Sequence, residues 1–99
     1  ANIFIVDKKD NLITRFTDNH ILAGITRERI INLADKNNIN VVEKSFSYSE
    51  LLNAKEAFVT SSTLLVRPIN RVDERIIFDG EVGAITKKLY KLYQDFIDQ

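Results

Sequence analysis

The sequence predicts an α/β fold, an α+β mixed sheet with flanking helices, on two observations. Short β-branched and aromatic runs separated by polar turns read as strands, and two longer stretches repeat their apolar residues at helical spacing. Ninety-nine residues make one domain, residues 1–99, able to bury about 60–70% of the surface its unfolded chain exposes. The composition, 44% hydrophobic and 28% charged, suits a globular fold of that size.

Asn2-Ile3-Phe4-Ile5-Val6 and Leu12-Ile13-Thr14-Arg15 flank the polar turn Asp7 to Asn11, so residues 2–15 read as a β-hairpin. From Thr26 to about Asn38, Ile30, Ile31, Leu33 and Ala34 fall on a helical stripe, with Thr26 as the expected N-cap and Asn37-Asn38 as the stop. Ile39 to Phe46 reads as a strand. Ser47-Tyr48-Ser49-Glu50 is a capping box that starts a short helix through Leu52. Glu56 to Thr60 has the apolar density of a buried strand, and Leu64 to Arg67 continues extended. Pro68 interrupts or edges that strand, because proline has no N–H for a ladder. Arg75 to Phe78 is a further strand, and Asp79-Gly80 a turn. The last element, about Val82 to Ile97, is a helix whose expected buried stripe is Ile85, Leu89, Leu92 and Phe96.

The bulk properties exclude several function classes. Fourteen basic and fourteen acidic residues cancel, so no global field draws the chain to nucleic acid or a charged membrane. No apolar run approaches the length of a membrane span. With no cysteine there is no disulfide, thiolate nucleophile or cysteine zinc site, in keeping with a cytoplasmic setting. The single histidine, His20, has no nearby set of metal ligands and reads as a loop residue, so no metal is expected. The chain opens at Ala1 without methionine and enters a strand at once, which reads as a cut or processed piece.

The most informative stretch is Leu22-Ala23-Gly24-Ile25-Thr26-Arg27. A glycine lets backbone approach a ligand, and the amides after it form a helix N-terminus with partial positive charge, a setting that suits a phosphate. Thr60-Ser61-Ser62-Thr63 follows a strand and offers a second polar turn. Together they suggest a divided phosphate cradle.

The order of these blocks resembles the class IV pyridoxal-phosphate aminotransferases, the fold-type-IV group, which includes D-amino-acid and branched-chain aminotransferases and aminodeoxychorismate lyase. The matching blocks are Asn2-Ile3-Phe4, Leu12-Ile13-Thr14, Leu22 to Arg27, Phe58 to Thr63, and Asp79-Gly80 with Val82-Gly83. The resemblance implies the C-terminal lobe of that fold, a partly closed mixed sheet or barrel flanked by helices. It also implies that the pyridine-nitrogen glutamate and the Schiff-base lysine lie upstream of Ala1. None of the eight lysines stands where the family puts that lysine, so no catalytic residue is expected here.

By the same resemblance, Gly24, Ile25 and Thr26 would offer amides, and Thr26 a hydroxyl, to the phosphate of pyridoxal 5'-phosphate. Ser61 and Ser62 would complete the cradle, and Leu22 would pack on the cofactor ring. Thr60 reads as structural. Arg27 could serve as a guanidinium ligand, but its place in the first helical turn favours a salt bridge facing away. Arg67 reads as a sheet-surface residue. The implied reaction exchanges an amino group between an amino acid such as D-alanine and a 2-oxo acid, the Thr-Ser-Ser-Thr turn favouring the D-amino-acid branch. A branched-chain aminotransferase and a lyase remain open on the same fold, as does a non-catalytic binding or assembly domain. The expected partners are the amino-acid and 2-oxo-acid substrates, the missing N-terminal part and a second copy in a homodimer. The piece alone is expected to be inactive, with weak or absent cofactor, and to expose apolar surface.

Overall fold

β-branched and aromatic residues build the strands, and the structure, a computed structural model, describes residues 2–15, 25–61, 65–69, 71–72, 75–76 and 83–97. In chain order the elements are β1 (Asn2–Val6), β2 (Leu12–Thr14), α1 (Ile25–Lys36), β3 (Val41–Glu43), α2 (Tyr48–Leu52) and β4 (Glu56–Ser61). They continue with β5 (Leu65–Ile69), β6 (Arg71–Val72), β7 (Arg75–Ile76) and α3 (Ala84–Ile97). Five strands form one sheet in the order β3-β2-β1-β4-β5, and β6 pairs with β7. Among the described strands of this sheet only the β2–β3 pair is parallel, so the sheet is mixed as expected, with α1 between those strands in the chain. Among the described residues the sheet is open rather than partly closed, with β3 and β5 at its edges. Three-residue β3 and proline-bearing β5 offer little ladder for closure.

The hairpin forms as its sequence requires. Asp7 Oδ1 accepts from the Lys9 and Asn11 amides, both at 2.9 Å, while Asn11 Nδ2 donates to Oδ2. Asp10 takes a positive φ of 64° to close the turn. Pairing β1 with β4 sets Phe4 directly opposite Phe58, their rings stacked with centroids 4.9 Å apart. Such a cross-strand aromatic pair contributes about 1 kcal/mol beyond its buried area.

Both faces of the sheet carry core. On one, Phe4, Val6, Leu12 and Phe58 meet Ile30 and Ala34 of α1, Leu89 and Tyr93 of α3, and Ile39. On the other, Ile5, Ile13 and Ala57 pack with Phe46 and Ala54, joined by Leu51 of α2. The expected strand from Ile39 to Phe46 is only Val41–Glu43, because its partner β2 offers just Leu12–Thr14 for pairing; the side chains of Ile39 and Phe46 beyond it enter opposite core clusters.

The helix ends follow local chemistry. Asn38 is left-handed (φ 63°), the Ile39 amide bonds the Ala34 carbonyl at 2.9 Å, and the Asn38 amide reaches Asp35 O at 3.4 Å. This is a Schellman stop with asparagine in the glycine position, where Asn37-Asn38 predicts it. The Ser47 capping box is present, with Ser47 Oγ accepting from the Glu50 amide and Glu50 Oε1 from the Ser47 amide.

Two further expectations, both at the helices, differ from the structure. Thr26 is not the N-cap of α1 but its second residue, buried where α1 meets α3, its hydroxyl 3.4 Å from the Tyr93 hydroxyl. The buried stripe of α3 is Thr86, Leu89 and Tyr93 rather than one that runs to Phe96, which is 37% exposed beneath the Arg29 guanidinium. Polar contacts at Thr86 and Tyr93 rotate the helix away from its purely apolar side. The expected turn at Asp79-Gly80 lies outside the described residues.

Candidate functional site

Strand direction decides what can meet. β1 is antiparallel to both β2 and β4, and β3 is parallel to β2, so β2, β3 and β4 end at the same end of the sheet. α1 leaves β2 there and opens at Ile25. The structure thus brings the opening of α1 to the end of the sheet where β4 finishes in Thr60 and Ser61. Carboxyl ends of strands beside a helix N-terminus are the usual ligand-binding edge of an open α/β sheet. Ile25, Thr26 and Ser61 are placed at that end; Leu22, Gly24 and Ser62 lie outside the described residues.

The surroundings of this end suit an anion. The helix presents its positive pole, since the first amides of any helix have no intrahelical acceptor. Thr60, only 1% exposed, carries a hydroxyl without a hydrogen-bond partner among the described residues. Such a buried orphan is uncommon and marks a place where a ligand or water completes the bonding. These features fit a phosphate-bearing group.

Arg27 is fastened elsewhere. Its guanidinium is 1% exposed, with Nη2 donating to Arg15 O at 2.9 Å and to Glu43 Oε1 at 2.7 Å, and Nη1 donating to Glu28 Oε1 at 3.1 Å. The salt-bridge reading of Arg27 is the one observed.

The opposite end of the sheet holds a feature that sequence reasoning missed. Glu56, buried at the start of β4, accepts from the Thr86 amide and hydroxyl, both at 2.7 Å, and from the Ile85 amide at 3.2 Å. It caps α3 from another element, beside Gly83, whose carbonyl accepts the first helical bond from Lys87. The available signal was a helix start preceded by Val82-Gly83, with no serine, threonine, aspartate or asparagine to cap it.

The titration shifts belong to that opposite end as well. Burial raises the Asp7 carboxyl, but the side-chain and backbone hydrogen bonds from Asn11 and the Lys9 amide outweigh it and hold the group below its ordinary 3.8. The hydrogen bond from Lys55 to Asp10 raises the Lys55 ammonium. A concavity of about 520 Å³ lies beneath the hairpin turn, lined by residues including Asp7, Lys8, Lys9 and Lys44. Another, about 290 Å³, is lined by Pro68, Thr86, Lys87 and Tyr90. Among the described residues no cluster of histidine, cysteine or carboxylate side chains could hold a metal, and no helix is long and apolar enough to cross a membrane.

The family described as Amino-transferase class IV matches residues 1–72. A D-alanine aminotransferase of Listeria monocytogenes is 40% identical over 100 residues, covering 100% of this chain and 34% of the relative. A probable branched-chain-amino-acid aminotransferase of Aquifex aeolicus is 42% identical over 93 residues, covering 93% of this chain and 30% of the relative. Among solved structures, an aminotransferase from Brucella abortus bound to the cofactor PLP superposes with a TM-score of 0.90 at 29% identity, covering 100% of this chain and 34% of that one. The chain spans about a third of the length of these relatives.

Proposed function

This chain belongs to the class IV aminotransferase family, and on that premise we propose that it is the cofactor-anchoring C-terminal part of a pyridoxal-phosphate transaminase. The observation that carries the reading is the shared end of the sheet, where α1 opens and β4 closes; on this reading the two are halves of one anion cradle. Bound there, pyridoxal phosphate would supply the electron sink for amino-group transfer to a 2-oxo acid. This chain's own residues hold and orient. Gly24, Ile25 and Thr26 would present backbone to the phosphate, Ser61 at the close of β4 and Ser62 after it would complete the cradle, and Leu22 would cover the ring. Proton transfer belongs to a lysine outside these residues. The working enzyme pairs this part with its N-terminal portion and with a second copy, in the cytoplasm.

The substrate branch is proposed as D-amino acids, on the form of the turn Thr60-Ser61-Ser62-Thr63. Branched-chain amino acids are the alternative, supported by the similar identity of the Aquifex relative. The test is the longer protein assayed with D-alanine and with L-leucine, 2-oxoglutarate being the acceptor. Turnover of D-alanine alone supports the first branch and of L-leucine alone the second; turnover by the 99-residue chain by itself would refute its anchoring-only role. In the longer protein, Thr26→Ala with Ser61→Ala should weaken cofactor retention and leave the fold intact. Unchanged retention would sink the cradle.

A further inference from the structure

We propose that Arg27 is the positioning residue of the cofactor site, setting the first turn of α1 against the strand ends without touching the cofactor. The proposal rests on the cradle reading above.

Arg27 is the third residue of α1 and heads the fully buried side chains by size. Nη2 reaches two separate elements at once: the carbonyl of Arg15, where the chain leaves β2, and the carboxylate of Glu43, which ends β3. Both anchors stand at the sheet end where the cradle lies, and Arg27 itself follows Thr26 by one residue and Ile25 by two in the helix.

Stability is a poor reason for this arrangement. Taking a guanidinium out of water costs several kcal/mol, and a buried ion pair often does no better than apolar side chains of the same volume. Here Nε also has no hydrogen-bond partner among the described residues, and Glu43 is still 43% exposed. What the pair supplies is direction. Ile30 and Ala34 press α1 onto the sheet through contacts that have no preferred angle. A helix held only so can slide or turn by a fraction of an ångström at little cost. Charge-assisted bonds from a planar fork fix both its rotation and its axial height. A cradle made of backbone amides depends on that registration, because a shift of about 1 Å in a binding group can cost about a hundredfold.

The experiment uses the longer protein in cofactor-free form, titrated separately with pyridoxal phosphate and with unphosphorylated pyridoxal. The ratio of the two affinities reads the phosphate contacts alone. Arg27→Lys keeps the charge but loses the fork, and Glu43→Ala removes one anchor while leaving Arg27 in place. Each should lower the preference for the phosphorylated form about tenfold or more, with pyridoxal affinity within about twofold of the parent. Should Arg27→Lys fail to fold, Glu43→Ala decides. A folded Glu43→Ala protein that keeps the parent's ratio, even with a lowered melting temperature, overturns the positioning role. A parent protein that shows no preference for the phosphate overturns the cradle itself, which is a different result.

Discussion

Glu56 and Gly83 are matched: the carboxylate of one fills the space that a side chain on the other would take. A Cβ built at Gly83 would overlap Cγ and Cδ of Glu56, which three hydrogen bonds hold against the start of α3. A glycine cap has no oxygen of its own, and the carboxylate arrives from β4 instead. Negative charge at this pole of the helix adds to the hydrogen bonds.

Removing either partner should therefore be costly, and removing both should cost less than the sum. Glu56→Ala leaves two amides without their acceptor and should lose about 2–3 kcal/mol, with Glu56→Gln losing about 1 kcal/mol. Replacing a glycine cap by alanine costs about 1 kcal/mol or less on propensity alone, so a larger loss in Gly83→Ala reports the overlap. In the double variant, Glu56→Ala should absorb much of the Gly83→Ala penalty. Denaturant unfolding of all four proteins checks this, and strict additivity would rule out the match.

Asn38 closes α1 in a conformation that β-carbon-bearing residues adopt at a cost. Asn38→Ala should destabilise by about 1 kcal/mol, and Asn38→Gly should stay within about 0.5 kcal/mol of the parent. Thermal melts of the two variants make the comparison, and an equal effect of both would contradict the left-handed stop.

Asp7 gives the hairpin an acid sensitivity. Its folded pKa lies below the ordinary 3.8, so the stabilisation it contributes is complete above that value and is lost as pH falls through the folded value. Asp7→Asn should be less stable than the parent at neutral pH, with the gap narrowing below about pH 4. Unfolding free energies measured from pH 7 downward test the sign; a gap that widens in acid would be inconsistent with it.

Thr60 offers a test in the opposite direction. Its hydroxyl is buried without a partner among the described residues, so Thr60→Val removes a desolvated polar atom and keeps the shape. The cofactor-free protein should be as stable as the parent or more stable by up to about 1 kcal/mol. A loss beyond about 1 kcal/mol in a melt would show that the hydroxyl is bonded in solution.

What could be read in the chain beforehand was whatever chemistry is local. The turn Asp7 to Asn11, the box Ser47 to Glu50 and the stop at Asn37-Asn38 each bond within a few residues, and each stands where its sequence puts it. Proline at position 68 marked an edge strand for the same reason. Misreadings arose where a distant partner decides. Thr26 has the chemistry of an N-cap, yet α3 approaches and the helix begins before it. Phe96 has the right spacing to be buried, but Thr86 and Tyr93 make polar contacts that set the rotation. For the candidate site, the glycine-to-helix motif was visible as a stretch of sequence. Its proximity to the close of β4 depended on strand directions that no short motif contains, and Arg27's two anchors are far from it in the chain.

α3 meets its polar contacts at Thr86 and at Tyr93, seven residues apart and so nearly two full turns, about 10 Å along the axis. That interval works as a gauge between the two ends of the sheet. One residue more or fewer within it would swing Tyr93 round by about 100° and lift it by about 1.5 Å, breaking its meeting with Thr26. The count from Thr86 to Tyr93 is thus a length that cannot drift, while beyond Tyr93 the helix ends in the exposed Phe96 and Ile97.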